Sequence, residues 1–337
     1  MQPTAAETPI AFVQSIIHAY ERYGKAPDHA LRAAQIPQSI LARPGARVTA
    51  DQFEALSDAA MRELDDEALG WFARRLPWGT NGMLCRAALP SADLRVALSR
   101  WCRHYALLVD DIRLEMRIEG GSAHLDVHER TDLGRQREFC LVTTLRNALG
   151  FACWLIDSRI PLTGARFPYP EPAHARAYGV IFRGPVSFQA RHAGFSFDAE
   201  YLKLPVRRDD RDLRQMLLRP LPLIVLQYRR DRLLSQRLRD LLRARGLELS
   251  NADALAFELN LSTRTLYRHL SEEGTSLQRL KDEVRQEVAI HLLTKSRKSL
   301  KQVVAAAGFR NEASFNRAFR KWTGQSPGQY RHAMTGR

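Results

Sequence analysis

Residues 308–330 read GFRNEASFNRAFRKWTGQSPGQY. Phe315, Phe319 and Trp322 follow one another at spacings of four and three, which places them on one face of a helix. Asn311 stands where an N-cap belongs. Glu312, Ala313, Asn316, Arg317 and Arg320 fall on or near the opposite side. The aromatic face is the one expected to pack and the polar face the one expected to stay outside. Gly308 opens the turn ahead of this helix, and Gly324 with Pro327 is expected to end the unit. Three readings compete: a packed terminal helix, a membrane-surface helix, and a helix that reads nucleic acid.

An internal repeat separates them. Residues 252–274, ADALAFELNLSTRTLYRHLSEEG, and residues 301–324, KQVVAAAGFRNEASFNRAFRKWTG, each spell a short helix, a turn of three or four residues and a second helix. Leu255, Ala256, Leu259 and Leu261 correspond to Val303, Val304, Ala307 and Phe309; Leu266 and Leu270 correspond to Phe315 and Phe319. Asn260 and Gly308 occupy the turns, where a positive φ is cheap only for Gly and Asn. Ser262 is placed to cap the second helix of the first unit, and Gly274 to end it. Thr263, Arg264, Tyr267 and Arg268 are then left facing out. Two helix-turn-helix units result, joined by SLQRLKDEVRQEVAIHLLTKS. A connecting helix of about 18 residues spans roughly 27 Å, not far from the turn of about 34 Å that separates successive major-groove contacts. Arg, Asn and the methyls of Ala and Thr are residue types that pair with base edges there. A membrane-surface helix would not call for tandem capped helices.

Charge points the same way. The 337 residues carry a net charge of +14. From Arg207 onward there are 27 basic against 14 acidic residues, a net of +13, and the part before it is nearly neutral at +1. A basic module behind a neutral one implies an anionic partner for the module.

The remainder reads as a separate α+β domain. IAFVQSIIHAYERYG is helical and closes on Gly24, and a helix begins after Thr49. Another runs from about Ser91 to Leu108. IRLEMRIEGGSAHLDVHE alternates around Gly120-Gly121 as a hairpin does. A helix follows from about Arg135 to Ile156, and strand-like pieces lie at GARFPY and PVSFQARHAGFSFD. LIVLQYRRDRLLSQRLRDLLRARG suggests a connector helix closed by Gly246, packed on either domain or touching phosphate. Cys85, Cys102, Cys140 and Cys153 lack CxxC spacing, so buried reduced thiols are expected rather than a zinc or redox site. The N-terminus lacks a signal-peptide pattern and the longest apolar runs, LGFACWLI and LPLIVL, are too short to span a bilayer, so a cytoplasmic protein is expected.

With these residues in view, the chain is similar to a known family. Residues 250–331 resemble the AraC/XylS-type DNA-binding domain of bacterial transcription regulators, through Gly308-Phe309, Phe315, Arg317, Phe319, Gly324, Ser326-Pro327 and Tyr330-Arg331. Val304 departs from the small alanine usual there and Asn260 from the frequent glycine. The resemblance implies base contacts by Arg264, Tyr267, Arg268, Glu312, Ala313, Asn316 and Arg317. It implies phosphate contacts by helix N-termini, Lys301 and Arg320. Most of residues 10–206, through FVQSIIHAYERYGKAPDHALRAAQI, GTNGMLCRAALPSADLRVALSRWCRHYALL and ARFPYPEPAHARAYGVIFRGPVSFQARHAGFSFDAEYLKLPV, resembles the sensor class of the ornithine-utilisation and mycobacterial virulence regulators rather than the cupin type, which implies effector binding and dimerisation.

No GxSxG elbow or HExxH motif is present and the cysteines are scattered, so no enzyme, cofactor or metal is expected. Trp101, His104, Tyr105 and Trp154 are candidate pocket residues, or ordinary core. The expected architecture is an α+β N-terminal sensor domain plus an all-α C-terminal domain with two helix-turn-helix units. Residues 1–206 bind effector and dimerise, 207–249 form a basic helical linker, and 250–337 bind DNA. The expected partners are double-stranded promoter DNA, RNA polymerase, a small-molecule effector and a second copy in a homodimer, without a membrane. An activator is favoured; the alternative is a repressor, or an effector-independent architectural protein whose first domain only dimerises.

Overall fold

The computed structural model describes residues 8–43, 45–218, 231–245, 251–296 and 298–335. It divides into two compact units, Met1–Arg229 and Arg230–Arg337.

Unit 1 opens with α1 (Ile10–Arg22), α2 (Asp28–Ala33), α3 (Gln38–Leu41), α4 (Ala50–Leu64), α5 (Thr80–Ala88) and α6 (Leu94–Tyr105). α1 buries Phe12, Val13, Ile16 and Tyr20 along one stripe, and the chain leaves it through Gly24 at φ 63. Thr49 and Gln52 form a reciprocal capping box that starts α4. A short antiparallel ladder pairs β1 (Thr8–Pro9), just before α1, with β2 (Arg47–Val48), just before α4.

The hairpin expected at Gly120-Gly121 is present: β3 (Ile112–Glu119) pairs antiparallel with β4 (Ser122–Glu129). Both glycines take positive φ, 55 and 83, as the favoured two-residue turn demands. With β5 (Leu162–Arg166), β6 (Val186–Ser187) and β7 (Ala193–Asp198) they form one sheet of order β3-β4-β7-β5-β6, in which only β5 and β6 run parallel. Ala123, Leu125 and Val127 turn one face of β4 into the core. Helix α7 (Arg137–Leu155) packs there against β4 and β7 and is buried on almost every side, so it lacks the polar stripe of a surface helix. On the other face the fully buried Asp126 is held by Arg117 at 2.7 Å and by Arg166. Gly194 is required beside it, because a Cβ there would meet the Leu125 carbonyl at 2.8 Å as well as Asp126.

The strand read at GARFPY stops at Arg166. Phe167 and Tyr169 instead join Tyr178 and Phe182 of α8 (Arg176–Phe182) in an aromatic cluster. This helix was hidden by the strand-like pattern around it. The four cysteines are buried and form no disulfide; burial pushes the Cys85 and Cys102 thiols up to about 12.

Residues 207–249 are divided between the units. α9 (Asp210–Leu218) buries Leu213 and Met216 in unit 1, and α10 (Leu233–Arg245) puts Leu238 and Leu242 into the core of unit 2. The apolar run 221–226 and the stop at Gly246 lie outside the described residues.

Unit 2 continues with α11 (Ala252–Glu258), α12 (Thr263–Glu272), α13 (Leu277–Lys295), α14 (Leu300–Ala306), α15 (Glu312–Thr323) and α16 (Pro327–Thr335). It has two cores. One gathers Leu255, Ala256, Leu266 and Leu270 onto Leu277, Leu280 and Val284 of α13. The other gathers Val303, Val304, Ala307, Phe315 and Phe319 onto Ala289 and Leu293. The step from Val284 to Ala289 turns about 140° around the helix axis at roughly 100° per residue, so α13 serves the two cores from different sides.

Gly324 ends α15 in the left-handed conformation at φ 76, and Pro327, expected to close the unit with it, begins α16. Ser326 and Gln329 form a capping box, and proline at the first helical position gives up only an N–H that had no helical acceptor. Tyr330 then meets the edge of Phe319 at 5.4 Å, and Arg331 donates to the Lys298 carbonyl at 2.8 Å.

Candidate nucleic-acid interface

The two helix pairs are built by the same local chemistry. α11 ends with Leu261 N–H donating to the Ala256 carbonyl and Asn260 N–H to the Phe257 carbonyl; α14 ends with Phe309 N–H to Val304 and Gly308 N–H to Ala305. This is the bond pattern of a Schellman stop, which needs a left-handed residue. Asn260 supplies it at φ 54 and Gly308 at φ 71. The second helix of each pair then starts on a side-chain cap: the Ser262 hydroxyl accepts from Thr265 N–H at 3.1 Å, and Asn311 Oδ1 accepts from Ser314 N–H at 2.9 Å.

These devices fix which side of α12 and α15 is buried. Leu266 and Leu270 face in from α12, Phe315 and Phe319 from α15, with Phe309 and Trp322 packed against them. Arg264, Tyr267 and Arg268 are exposed on α12. Glu312, Ala313, Arg317 and Arg320 are exposed on α15, and Lys301 on the first turn of α14. Arg268 lies 3.8 Å from Glu272 with both side chains 65% exposed, a pairing too screened to hold it.

Two residues are placed differently from the expectation. Thr263 is half-buried and its hydroxyl donates to Asp253 at 2.5 Å, tying α12 back to α11. It braces the pair, its hydroxyl being engaged by Asp253. Asn316 is half-buried, and its Oδ1 is sequestered without a hydrogen-bond partner. A two-point contact with adenine uses both ends of the amide, so Asn316 must rotate before it can make one.

Not every basic group is on offer to a polyanion. Arg239 and Arg243 of α10 are bound to Glu283 and Glu287 of α13 at 2.8 and 2.6 Å. The same helix is anchored at its N-terminus by Glu273, at the end of α12, which accepts from Ser235 N–H at 3.1 Å. Burial pushes this carboxyl up to about 7. The helix α10 is thus fastened to the first helix-turn-helix pair at its N-terminus and to α13 along the rest of its length.

In unit 1, Trp101 and Tyr105 line a cavity of about 260 Å³; His104 and Trp154 do not. His104 Nδ1 is 2.7 Å from the Arg100 carbonyl on its own helix, and Trp154 stacks on Phe151 under the Arg208 guanidinium. Trp71, Trp78, Glu67 and Asn81 also line the cavity. The sequence signal that marks Trp78 and Asn81 is the Pro/Gly loop LPWGTNG between two amphipathic helices; Glu67 and Trp71 lie ahead of it. No helix among the described residues is long and apolar enough to cross a membrane, and no His/Cys/Asp/Glu group among them is arranged to hold a metal.

Paired helix-turn-helix units on a common helix, joined to a sheet-containing unit with an internal cavity, define a DNA-binding regulator with a ligand-binding domain. The chain belongs to the AraC family of transcription regulators. Residues 24–206 match the arabinose-binding domain of AraC transcription regulator, N-terminal, and residues 255–333 a helix-turn-helix domain. Along 331 residues it is 30% identical to the ornithine utilization regulator of Pseudomonas aeruginosa, covering 98% of each chain. It is 33% identical over 81 residues to the transcriptional regulator VirS of Mycobacterium tuberculosis, 24% of each chain. Among solved structures, the transcriptional regulator CdpR from Pseudomonas aeruginosa aligns over 91% of this chain and 96% of its own at 22% identity and TM-score 0.34. These relatives are transcription regulators, not enzymes.

Proposed function

We propose that this regulator reads promoter DNA with α12 and α15 and activates transcription in response to a small-molecule effector held by unit 1. One observation carries the reading: two identically stopped and capped helix pairs bury their aliphatic and aromatic faces on α13 and leave Arg264, Tyr267, Arg268, Ala313 and Arg317 outside. Helix α13 is about 28 Å long at 1.5 Å per residue, a length that suits recognition helices entering successive major grooves.

In this reading Arg264, Tyr267 and Arg268 contact bases in one groove, and Glu312, Ala313, Arg317 and the rotated Asn316 contact them in the next. Lys301, Arg320 and the helix N-termini neutralise phosphates. Thr263 serves the fold of the site. The domains follow the same division of labour, with residues 1–206 binding effector and forming a homodimer. An effector that favours one arrangement of unit 1 shifts how the DNA-binding unit is presented to DNA and to RNA polymerase. The protein acts in the cytoplasm, where its DNA is. Similarity along the whole chain to an ornithine utilization regulator supports control of a catabolic operon.

Selection of bound duplexes from a randomised DNA pool by the full chain tests this. The expected product is a pair of short motifs about one helical turn apart, and a promoter carrying it is expected to drive a reporter harder when effector is supplied. Binding indifferent to sequence would instead favour an architectural role.

A further inference from the structure

The cavity in unit 1 is walled by Trp71, Trp78, Trp101, Tyr105 and Phe151, and the loop that carries the first two is built rigidly. Buried Asp66 accepts from the backbone N–H groups of Ala68, Gly70 and Leu76. Glu67 accepts from those of Gly79 and Asn81 at 2.7 and 2.6 Å. Both Glu67 oxygens are thereby occupied in holding the loop. The aromatic walls are locked from behind: Trp71 stands edge-on to Phe139 at 5.5 Å, and Trp101 leans over Tyr105 at 5.3 Å. At the rim, Trp78 lies under the Arg62 guanidinium at 4.0 Å. A cavity framed this way exists before anything enters it.

Its polar groups are unbalanced. Trp71 Nε1 and Trp101 Nε1 are buried without an acceptor in the protein, and Thr144 Oγ1, beside Tyr105 in the same wall, has no aligned partner. Buried donors are rarely left unpaired. In the described part of unit 1 the other such atoms are on Gln136, His128 and His192, and the two histidines face carboxylates at 3.0 and 3.4 Å. Both unpaired indole N–H groups belong to side chains that line this cavity. Apart from Glu67, whose oxygens hold the loop, and Arg86, which is exposed, the lining side chains are uncharged. The missing component is a neutral acceptor.

We propose that this cavity is the effector site and takes a compact uncharged molecule with an apolar ring and a carbonyl oxygen, held by the Trp71 and Trp101 indole N–H groups. The assignment rests on the reading of the chain as an effector-responsive regulator. It also gives occupancy a way out of the cavity. Leu217 of α9 lines the cavity, packed so close to Gly82 that a Cβ there would meet its Cδ1 at 3.3 Å. α9 is the last described helix of unit 1, so a ligand that moves Leu217 moves α9.

The test uses benzamide, benzoate and benzylamine, three probes with one ring and different head groups, added to the full chain while tryptophan fluorescence and unfolding temperature are followed. Benzamide is expected to bind best and to raise the unfolding temperature with dose. Trp71→Phe and Trp101→Phe, which keep an apolar wall, are expected to weaken benzamide about fivefold or more by removing one donor each. Thr144→Val, which keeps the shape and removes only the hydroxyl, guards against an effect of loosened packing and is expected to weaken it too. Benzylamine or benzoate binding as well as benzamide, or all three variants binding it unchanged with native circular dichroism, overturns the assignment. If the full chain selects a DNA sequence and benzamide does not bind, the cavity proposal alone falls. If no sequence is selected, the regulator reading falls whatever benzamide does.

Discussion

Replacing Glu273 with glutamine isolates the joint between α10 and the first recognition helix. The carboxyl is 6% exposed and takes the Ser235 N–H at the start of α10. Burial raises it from 4.5 to about 7. A carboxyl raised on folding binds its proton more tightly in the folded than in the unfolded chain, so stability falls as pH rises from about 4.5 to about 7 and is level beyond. The full shift corresponds to at most about 3 kcal/mol; solvent at the rim of the site reduces this to about 1–2 kcal/mol. Glu273→Gln keeps an acceptor for Ser235 and removes the charge. The variant is therefore expected to match the wild type near pH 5 and to exceed it by about 1–2 kcal/mol at pH 8. Urea denaturation of the full chain, followed by far-ultraviolet circular dichroism from pH 5 to 8.5, measures the difference, in which the titration of all other groups cancels. Parallel pH profiles for the two proteins would refute the reasoning, as would a loss of stability in the variant at pH 8.

Phe319→Ala empties a fully buried site between Phe315, Trp322 and Tyr330; a loss of about 3–5 kcal/mol is expected in the denaturation transition of unit 2. Asn260→Ala forces a Cβ-bearing residue without asparagine's local hydrogen bonding into φ 54 and is expected to cost about 1 kcal/mol, whereas Asn260→Gly is expected to be tolerated, both read from melting temperatures. Lys301→Ala is expected to weaken binding to all duplexes alike in fluorescence anisotropy and to reduce the slope of log affinity against log salt by about 1.

The DNA-binding unit was legible because its determinants are local. Asn260, Gly308, Ser262 and Asn311 each act within five residues of their own position, and the spacing of Leu266, Leu270, Phe315 and Phe319 alone tells which face is buried. Where the structure departs from the pattern, a longer contact decides. The Thr263 hydroxyl is engaged by Asp253 ten residues earlier, and Tyr330 of the helix that Pro327 begins packs on Phe319. In unit 1 the Gly120-Gly121 hairpin was legible for the same local reason. The insertion of β7 between β4 and β5 was not, since pairing Leu125 with Phe195 joins residues far apart in the chain. The cavity was the least legible feature: Trp71, Trp101, Phe151 and Leu217 come from four separate segments, and the unpaired indole donors become visible only when everything around them has been placed.

Base reading by α12 and α15 depends above all on two arginines. Gel-shift titration of Arg268→Ala and Arg317→Ala against the selected site and against random duplex is the decisive measurement. Each variant is expected to lose about 1–3 kcal/mol on the selected site and to relax base preference at one position, with little change on random DNA. If both variants bind the selected site as tightly and as selectively as the wild type, the assignment of the recognition helices is wrong.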